Sequence, residues 1–234
     1  YPRQFDAEFS IAGKHYIIDI QACALELDDQ RQVLQVIARD VTLQREIEKQ
    51  KQDLLVRLEK LSTHDEMTGL ANFRHFSELL KQEHQRCARY GTPYSIVFMD
   101  VDNFKAYNDR NGHPAGDALL KGIAQAIQKS CRDTDHPARY GGEEFVVLCP
   151  GTPASGAITL AERIRSQIQT GKFAQAEHQP LGFVSISAGV AEFPHHGKTA
   201  ELLLKSADEA LYHSKHSGRN RVTVAGSVRA KKAA

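Results

Sequence analysis

The run Tyr94-Ser95-Ile96-Val97-Phe98-Met99-Asp100-Val101-Asp102 is an apolar strand that ends in two carboxylates. Side chains alternate with period two along a strand, which places Asp100 and Asp102 on one face. A carboxylate at the end of a buried strand is costly unless it meets water, a cation or a donor. Further along the chain, Ala138-Arg139-Tyr140 leads through Gly141-Gly142 into Glu143-Glu144 and the apolar segment from Phe145 to Cys149, a hairpin pattern. If that hairpin pairs beside the first strand, three or four carboxylates converge on one patch. Hard oxygen ligands of this kind suit Mg²⁺, with phosphates completing its shell. The alternative is a solvated loop edge.

Outward from this core the chain alternates helical and strand patterns. Helices are expected over about 73–89, 115–129, 154–169 and 199–216, and further strands over 183–191 and 222–224. The order β-α-β-β-α-β fits an α+β, ferredoxin-like sandwich, an antiparallel sheet with helices on one side.

The first sixty residues read differently. Tyr16, Ile18, Ile20, Ala22 and Ala24 alternate, Asp28-Asp29-Gln30 interrupts, and Leu34, Val36 and Ala38 alternate again, which predicts a β-hairpin. Two strands alone are marginal in water, so the hairpin is expected to need partners. Its exit, Ala38-Arg39-Asp40-Val41-Thr42, resembles the last strands of a PAS sensor domain. Next, Ile47, Leu54 and Leu61 recur by sevens, with Leu43 and Leu58 between them, as in a helix that pairs in a parallel coiled coil. The expected organisation is a PAS-like sensor end over 1–40, a helical coiled-coil linker over 41–62, a third domain over 63–225 and a flexible tail over 226–234.

That third domain resembles GGDEF-domain diguanylate cyclases. Arg139-Tyr140-Gly141-Gly142-Glu143-Glu144-Phe145 is similar to the family signature in its Glu variant. Asp65-x-x-Thr68-Gly69-Leu70-x-Asn72, Asp100-x-Asp102-x-Phe104-Lys105-x-x-Asn108-Asp109, Gly112-His113-x-x-Gly116-Asp117 and Ala207-Asp208-x-Ala210-Leu211-Tyr212 with Lys215-x-x-Gly218-Arg219-Asn220 follow in family order. Met67 and Phe73 depart from the usual Leu and Arg. The resemblance implies a fold akin to nucleotide cyclases and polymerase palms. It also implies an enzyme that condenses two GTP into cyclic di-GMP with release of two pyrophosphates. Each domain would hold one GTP, so the reaction needs a homodimer, formed through the linker helix and the meeting of two active half-sites.

By motif position, Asp100, the Val101 carbonyl, Glu143 and Glu144 would hold two Mg²⁺ ions per half-site, with Mn²⁺ as the substitute. Glu143 is the general-base candidate, although a metal-bound carboxylate is a weak base. Lys105 would stabilise developing phosphate charge, and Lys215 and Arg219 would hold the outer phosphates. Asn108 and Asp117 match guanine-binding positions. A carboxylate only accepts, which suits the N1–H and N2–H₂ donors of guanine and opposes the N1 acceptor of adenine. Gly112 and Gly116 beside them read as loop geometry. Arg132-x-x-Asp135 stands where the family places its product-inhibition site, and Arg163 matches a second inhibitory position.

Composition bounds these readings. The 234 residues carry 30 basic and 29 acidic side chains, a net charge of +1. That balance excludes a basic nucleic-acid coat or a polybasic membrane patch as the main activity, so neither nucleic acid nor membrane is expected as a partner. Four cysteines, Cys23, Cys87, Cys131 and Cys149, lie far apart without a CxxC pair, as in a reducing, cytoplasmic setting. His195, His196, His213 and His216 lack the further ligands a zinc site needs. Gly197-Lys198-Thr199 ends like a phosphate-binding loop, but Glu192 stands where its first glycine belongs. Two rivals to an enzyme stay open: a catalytically inactive receptor of the same fold that binds GTP or cyclic di-GMP, and a structural dimerisation module.

Overall fold

The structure, a computed structural model, describes residues 3–26 and 32–227, with the backbone alone over 56–62. It divides into two units, Tyr1–Lys60 and Leu61–Ala234. In the first, β1 (Arg3–Ile11), β2 (Lys14–Glu26) and β3 (Gln32–Asp40) form an antiparallel sheet in the order β1-β2-β3. The expected hairpin corresponds to β2 and β3, while β1 is an additional strand whose alternating Phe5, Ala7, Phe9 and Ile11 carry the same signal. The turn at Asp28-Asp29-Gln30 lies outside the described residues, as does most of the expected tail.

Helix α1 (Thr42–Thr63) follows directly. The Asp40 carboxylate accepts from the Thr42 amide at 3.0 Å and hydroxyl at 2.6 Å, which holds its pKa below the usual range. The same hydroxyl accepts from the Ile17 amide at 2.8 Å, so the Asp-Val-Thr exit stitches the helix start to β2. Leu43, Ile47 and Leu54 are exposed along α1. The heptad positions Leu58 and Leu61 lie outside the described side chains.

The second unit contains α2 (Phe73–Tyr90), β4 (Tyr94–Val101), α3 (Phe104–Asn111), α4 (His113–Ser130), β5 (His136–Arg139), β6 (Glu144–Pro150), α5 (Ala154–Gln169), β7 (Ile186–Phe193), α6 (Ala200–His216) and β8 (Val222–Val224). Its sheet has the order β5-β6-β4-β7-β8, with β4 central and antiparallel to β6 and β7. The outer strand β8 joins β7 in parallel, an exception to the expected antiparallel pattern.

All eight residues of β4 are buried. Val97, Met99 and Val101 pack with Leu120 and Ile123 of α4 and Ile164 of α5. Ile96 and Phe98 pack with Phe76 of α2 and Leu203 and Leu211 of α6. Helices therefore cover both faces, not one as expected. The physical reason is already in β4, whose apolar run leaves no polar face to expose. Among the described residues no helix is long and apolar enough to cross a membrane.

Candidate functional site

Register places the carboxylates. Asp100 pairs directly with Glu144 across β4 and β6, and the Val101 amide donates to the Glu143 carbonyl at 3.2 Å. The hairpin closes where the amides of Tyr140 and Gly141 donate to the Glu144 carbonyl. A Cβ on Gly141 would lie 2.6 Å from Glu144 Oε2, so the first glycine makes room for the carboxylate beside it. Arg139 braces this turn, donating through Nη2 to the Gly142 carbonyl at 2.7 Å and through Nη1 to Asp65 Oδ2 at 3.1 Å. Asp65 in turn accepts from the Thr68 amide and hydroxyl. The opening Asp65-x-x-Thr68 motif thus buttresses the acidic hairpin.

The site is crowded with negative charge. Burial pushes the Asp100 pKa up to about 6, opposed by the Lys215 ammonium and reinforced by Glu143 and Glu144. Burial likewise raises Glu143, against Lys215 and with Glu144. Lys215, from the last turn of α6, reaches Asp100 with Nζ–Oδ2 of 2.7 Å. Among the described residues no three His, Cys, Asp or Glu side chains close into a metal cage. The donor set nevertheless fits a hard divalent ion: all ligands are oxygen, and their mutual repulsion is what such a cation relieves.

Asp102 shares the face of Asp100 but is not free to join its patch. Its amide donates to the Ser185 carbonyl at 3.0 Å, continuing the β4–β7 ladder in which Ser187 stands opposite Asp100. Asp102 is 4% exposed and accepts from Ser185 Oγ and Ser187 Oγ, each at 2.7 Å, and from the Asn220 amide at 3.0 Å. Three carboxylates converge, and the fourth holds β4 to β7 and to the turn after α6.

Lys105 is exposed on the first turn of α3, at the end of β4 that carries Asp100. Asn108 lies three residues on, and its buried Oδ1 has no hydrogen-bond partner among the described residues. Gly116 is not loop geometry: it is buried in the first turn of α4, and a Cβ there would lie 1.8 Å from Asn108 Oδ1. Gly112 does have loop geometry, with φ of 83° between the two helices. Asp117 is exposed next to Gly116. The two guanine candidates therefore stand at the contact of α3 with α4, where the Asn108 amide packs against the glycine that precedes Asp117. Arg219 is exposed in the turn between α6 and β8, with φ of 60°.

Arg132, Asp135 and Arg163 meet elsewhere, lining a cavity of about 200 Å³ together with Cys149, Thr159 and Leu160. Asp135 is nearly buried and accepts from the Arg132 amide at 2.8 Å. Arg163 donates to the Ser130 carbonyl, so it is anchored across to the end of α4. Sequence reasoning missed Ser185, Ser187 and Arg165, because serines on a strand and an arginine on a helix carry no distinguishing local pattern.

A palm-type sheet with carboxylates gathered at the end of its central strand, and the Lys215 ammonium paired with one of them, fits a nucleotide-cyclase-like domain. The family profile "Diguanylate cyclase, GGDEF domain" matches residues 62–221, and the chain belongs to that family. It is 41% identical over 163 residues to the response regulator PleD of Caulobacter vibrioides, covering 70% of this chain and 36% of PleD. It is 36% identical over 195 residues to the diguanylate cyclase DosC of Escherichia coli, covering 82% of this chain and 40% of DosC. The chain thus spans well under half the length of these relatives. Among solved structures, the coiled coil and GGDEF domain of DgcB from Caulobacter crescentus, in complex with c-di-GMP, superposes with a TM-score of 0.70 at 32% identity, covering 78% of this chain and 95% of that one. An active GGEEF domain of a Vibrio cholerae diguanylate cyclase gives 0.61 at 31% identity, covering 67% and 97%.

Proposed function

We propose that residues 63–225 form the output domain of a diguanylate cyclase that condenses two GTP into cyclic di-GMP and releases two pyrophosphates. The observation that carries this reading is the in-register pair Asp100 and Glu144, with Glu143 adjoining and Lys215 on Asp100. Asp100, Glu143 and Glu144, with the Val101 carbonyl, would hold Mg²⁺, or Mn²⁺ in its place. When bound, the ions supply charge neutralisation at the phosphates and a more acidic attacking hydroxyl.

The remaining work belongs to side chains. The 3′-hydroxyl oxygen of one GTP forms a bond to the α-phosphorus of the other, the bond to the β-phosphate oxygen breaks, and pyrophosphate leaves. Glu143 is the candidate to take the hydroxyl proton. Lys105 faces the charge that develops on the transferred phosphate, and Lys215 and Arg219 hold the outer phosphates. Asn108 Oδ1 is a buried acceptor awaiting a donor, which the exocyclic amine of guanine supplies, and Asp117 takes the adjacent donors.

Because each half-site offers one GTP, the reaction requires a homodimer. The exposed Leu43, Ile47 and Leu54 of α1 supply a seam for it as a coiled coil. Residues 1–40 are read as the end of a PAS-like sensor, consistent with a three-stranded sheet whose Phe5, Phe9, Leu34 and Val36 are exposed. The cavity holding Arg132, Asp135 and Arg163 is read as a site for cyclic di-GMP as inhibitor, and the setting as cytoplasmic. The test is incubation of the dimer with GTP and Mg²⁺, followed by chromatography for cyclic di-GMP. GTP binding without product would replace the enzyme by a receptor of the same fold.

A further inference from the structure

The turn between α6 and β8 has an unusual backbone. Arg219 and Asn220 both adopt left-handed conformations, with φ of 60° and 45°, and neither is glycine. Such residues persist only where surrounding contacts over-determine them. Here the contacts come from two sides. The Asn220 amide donates to Asp102 Oδ2 at 3.0 Å, and Asn220 Oδ1 accepts from Arg165 Nη1 at 2.9 Å. Arg165 is itself held by Glu162 at 2.7 Å. Asp102 is fixed by Ser185 and Ser187, so its position is set by β7 as well as by β4.

We infer that Asp102 and Asn220 form a latch that positions the cationic arm, Lys215 and Arg219, over the end of β4. Asp102 stands two residues after Asp100, and Asn220 stands one residue after Arg219. One hydrogen bond therefore ties the backbone next to Arg219 to the chain two residues beyond Asp100. All three partners of Asp102 are neutral donors, so its carboxylate is spent on holding the turn and not on a cation. Neither residue touches nucleotide in this role; both act through Arg219 and Lys215. The latch rests on the reading of those two cations as phosphate-binding groups.

The test is calorimetric titration of the full chain, in the presence of Mg²⁺, with GTP as its α,β-methylene analogue, which cannot release pyrophosphate, and, separately, with GMP. GMP shares the base and the α-phosphate but lacks the phosphates the arm would hold. Asp102→Ala should weaken GTP about tenfold, as expected for a displaced charge-assisted contact. GMP affinity should stay within about twofold. The double variant Asp102→Ala/Arg219→Ala should bind GTP no more weakly than Arg219→Ala alone, because the two act in series. Should Asp102→Ala not fold, Asn220→Gly carries the test. That variant keeps the backbone bond to Asp102 and removes only the Arg165 tether, so Asp102→Asn is measured beside it: it keeps the volume, replaces the charge-assisted bond to the Asn220 amide by a neutral one, and should weaken GTP by a smaller factor while sparing GMP.

Equal losses for GTP and GMP, no loss for GTP, or full additivity with Arg219→Ala would overturn the latch. A wild-type chain that binds GMP as tightly as GTP would instead overturn the phosphate-binding premise. The two failures are thereby distinguishable, and neither requires turnover.

Discussion

Replacing Gly116 by alanine should separate folding from nucleotide binding. The added Cβ would lie 1.8 Å from Asn108 Oδ1, 2.9 Å from its Cγ and 3.1 Å from Cζ of Phe104. An ordinary contact needs about 3.5 Å, so the Asn108 amide must rotate away by roughly half that distance or more. The backbone has no objection, because Gly116 is helical and alanine favours a helix by up to about 1 kcal/mol. That gain is offset by the tight approach to the Phe104 ring, and global stability should change by less than about 1 kcal/mol. In a domain of this size that is a melting shift of at most about 4 °C.

Binding should respond in the opposite sense. Moving Asn108 Oδ1 removes one hydrogen bond to guanine, about 0.5–1.5 kcal/mol net, or roughly two- to tenfold in GTP affinity. ATP, which lacks the exocyclic donor on that edge, should lose nothing. The assay is a thermal melt beside fluorescence titrations with GTP and ATP. Unchanged GTP affinity in a folded Gly116→Ala variant would refute the placement of the base against Asn108.

Four further outcomes are expected. Asp100→Asn and Glu143→Gln should each abolish cyclic di-GMP synthesis with little change in far-ultraviolet circular dichroism, since each removes a metal-binding oxygen at constant volume; near wild-type turnover would rule out the assignment. Without metal, wild-type stability should fall as pH rises from about 4 to about 6, because the folded-state pKa of Asp100 lies above its unfolded value of 3.8 and the folded protein binds the extra proton there. The shift of about two units is worth at most about 3 kcal/mol, so Asp100→Asn should melt higher than wild type at pH 7 in chelator and gain nothing from added Mg²⁺. Arg132→Ala should relieve inhibition by added cyclic di-GMP, and an unchanged inhibition curve would make Arg132 an ordinary cavity residue. Arg139→Ala should cost about 1–2 kcal/mol in urea unfolding, by freeing the Gly142 carbonyl and the Asp65 carboxylate together.

Several of these features were legible in the sequence, and the exceptions have physical causes. The apolar run of β4 and the Gly-Gly hairpin pointed to a patch of carboxylates, because strand period and turn position are local properties; that Asp100 stands opposite Glu144 depends on the pairing of β4 with β6, which is not local. The same run, apolar on both faces, already argued for helices on both sides, against the one-sided arrangement expected from element order. Helix α3 escaped notice because its apolar signal is only Phe104 and Tyr107, a single turn. Asp102 lies on the expected face, but its carboxylate is taken up by Ser185, Ser187 and the Asn220 amide, partners from distant parts of the chain that strand period does not record. Gly116 was misread because its reason is a side chain on another helix, and no local pattern records such an approach. Arg132 and Arg163 were found by motif position alone; that they share a cavity depends on the packing of α4 and α5, which spacing does not encode.

The ion pair between Lys215 and Asp100 joins two residues assigned to different parts of the ligand, one to the phosphates and one to the metal. On the proposed assignment, taking up a magnesium nucleotide would be an exchange of partners: the carboxylate would give up an ammonium for a divalent ion, and the ammonium a carboxylate for a phosphate. Neither group would then be left without a counter-charge in a site buried enough to lift a carboxyl to about 6. Metal and nucleotide should then enter as one species. Either alone would break the pair and strand one of its members, so on this assignment the complex would be favoured over its components.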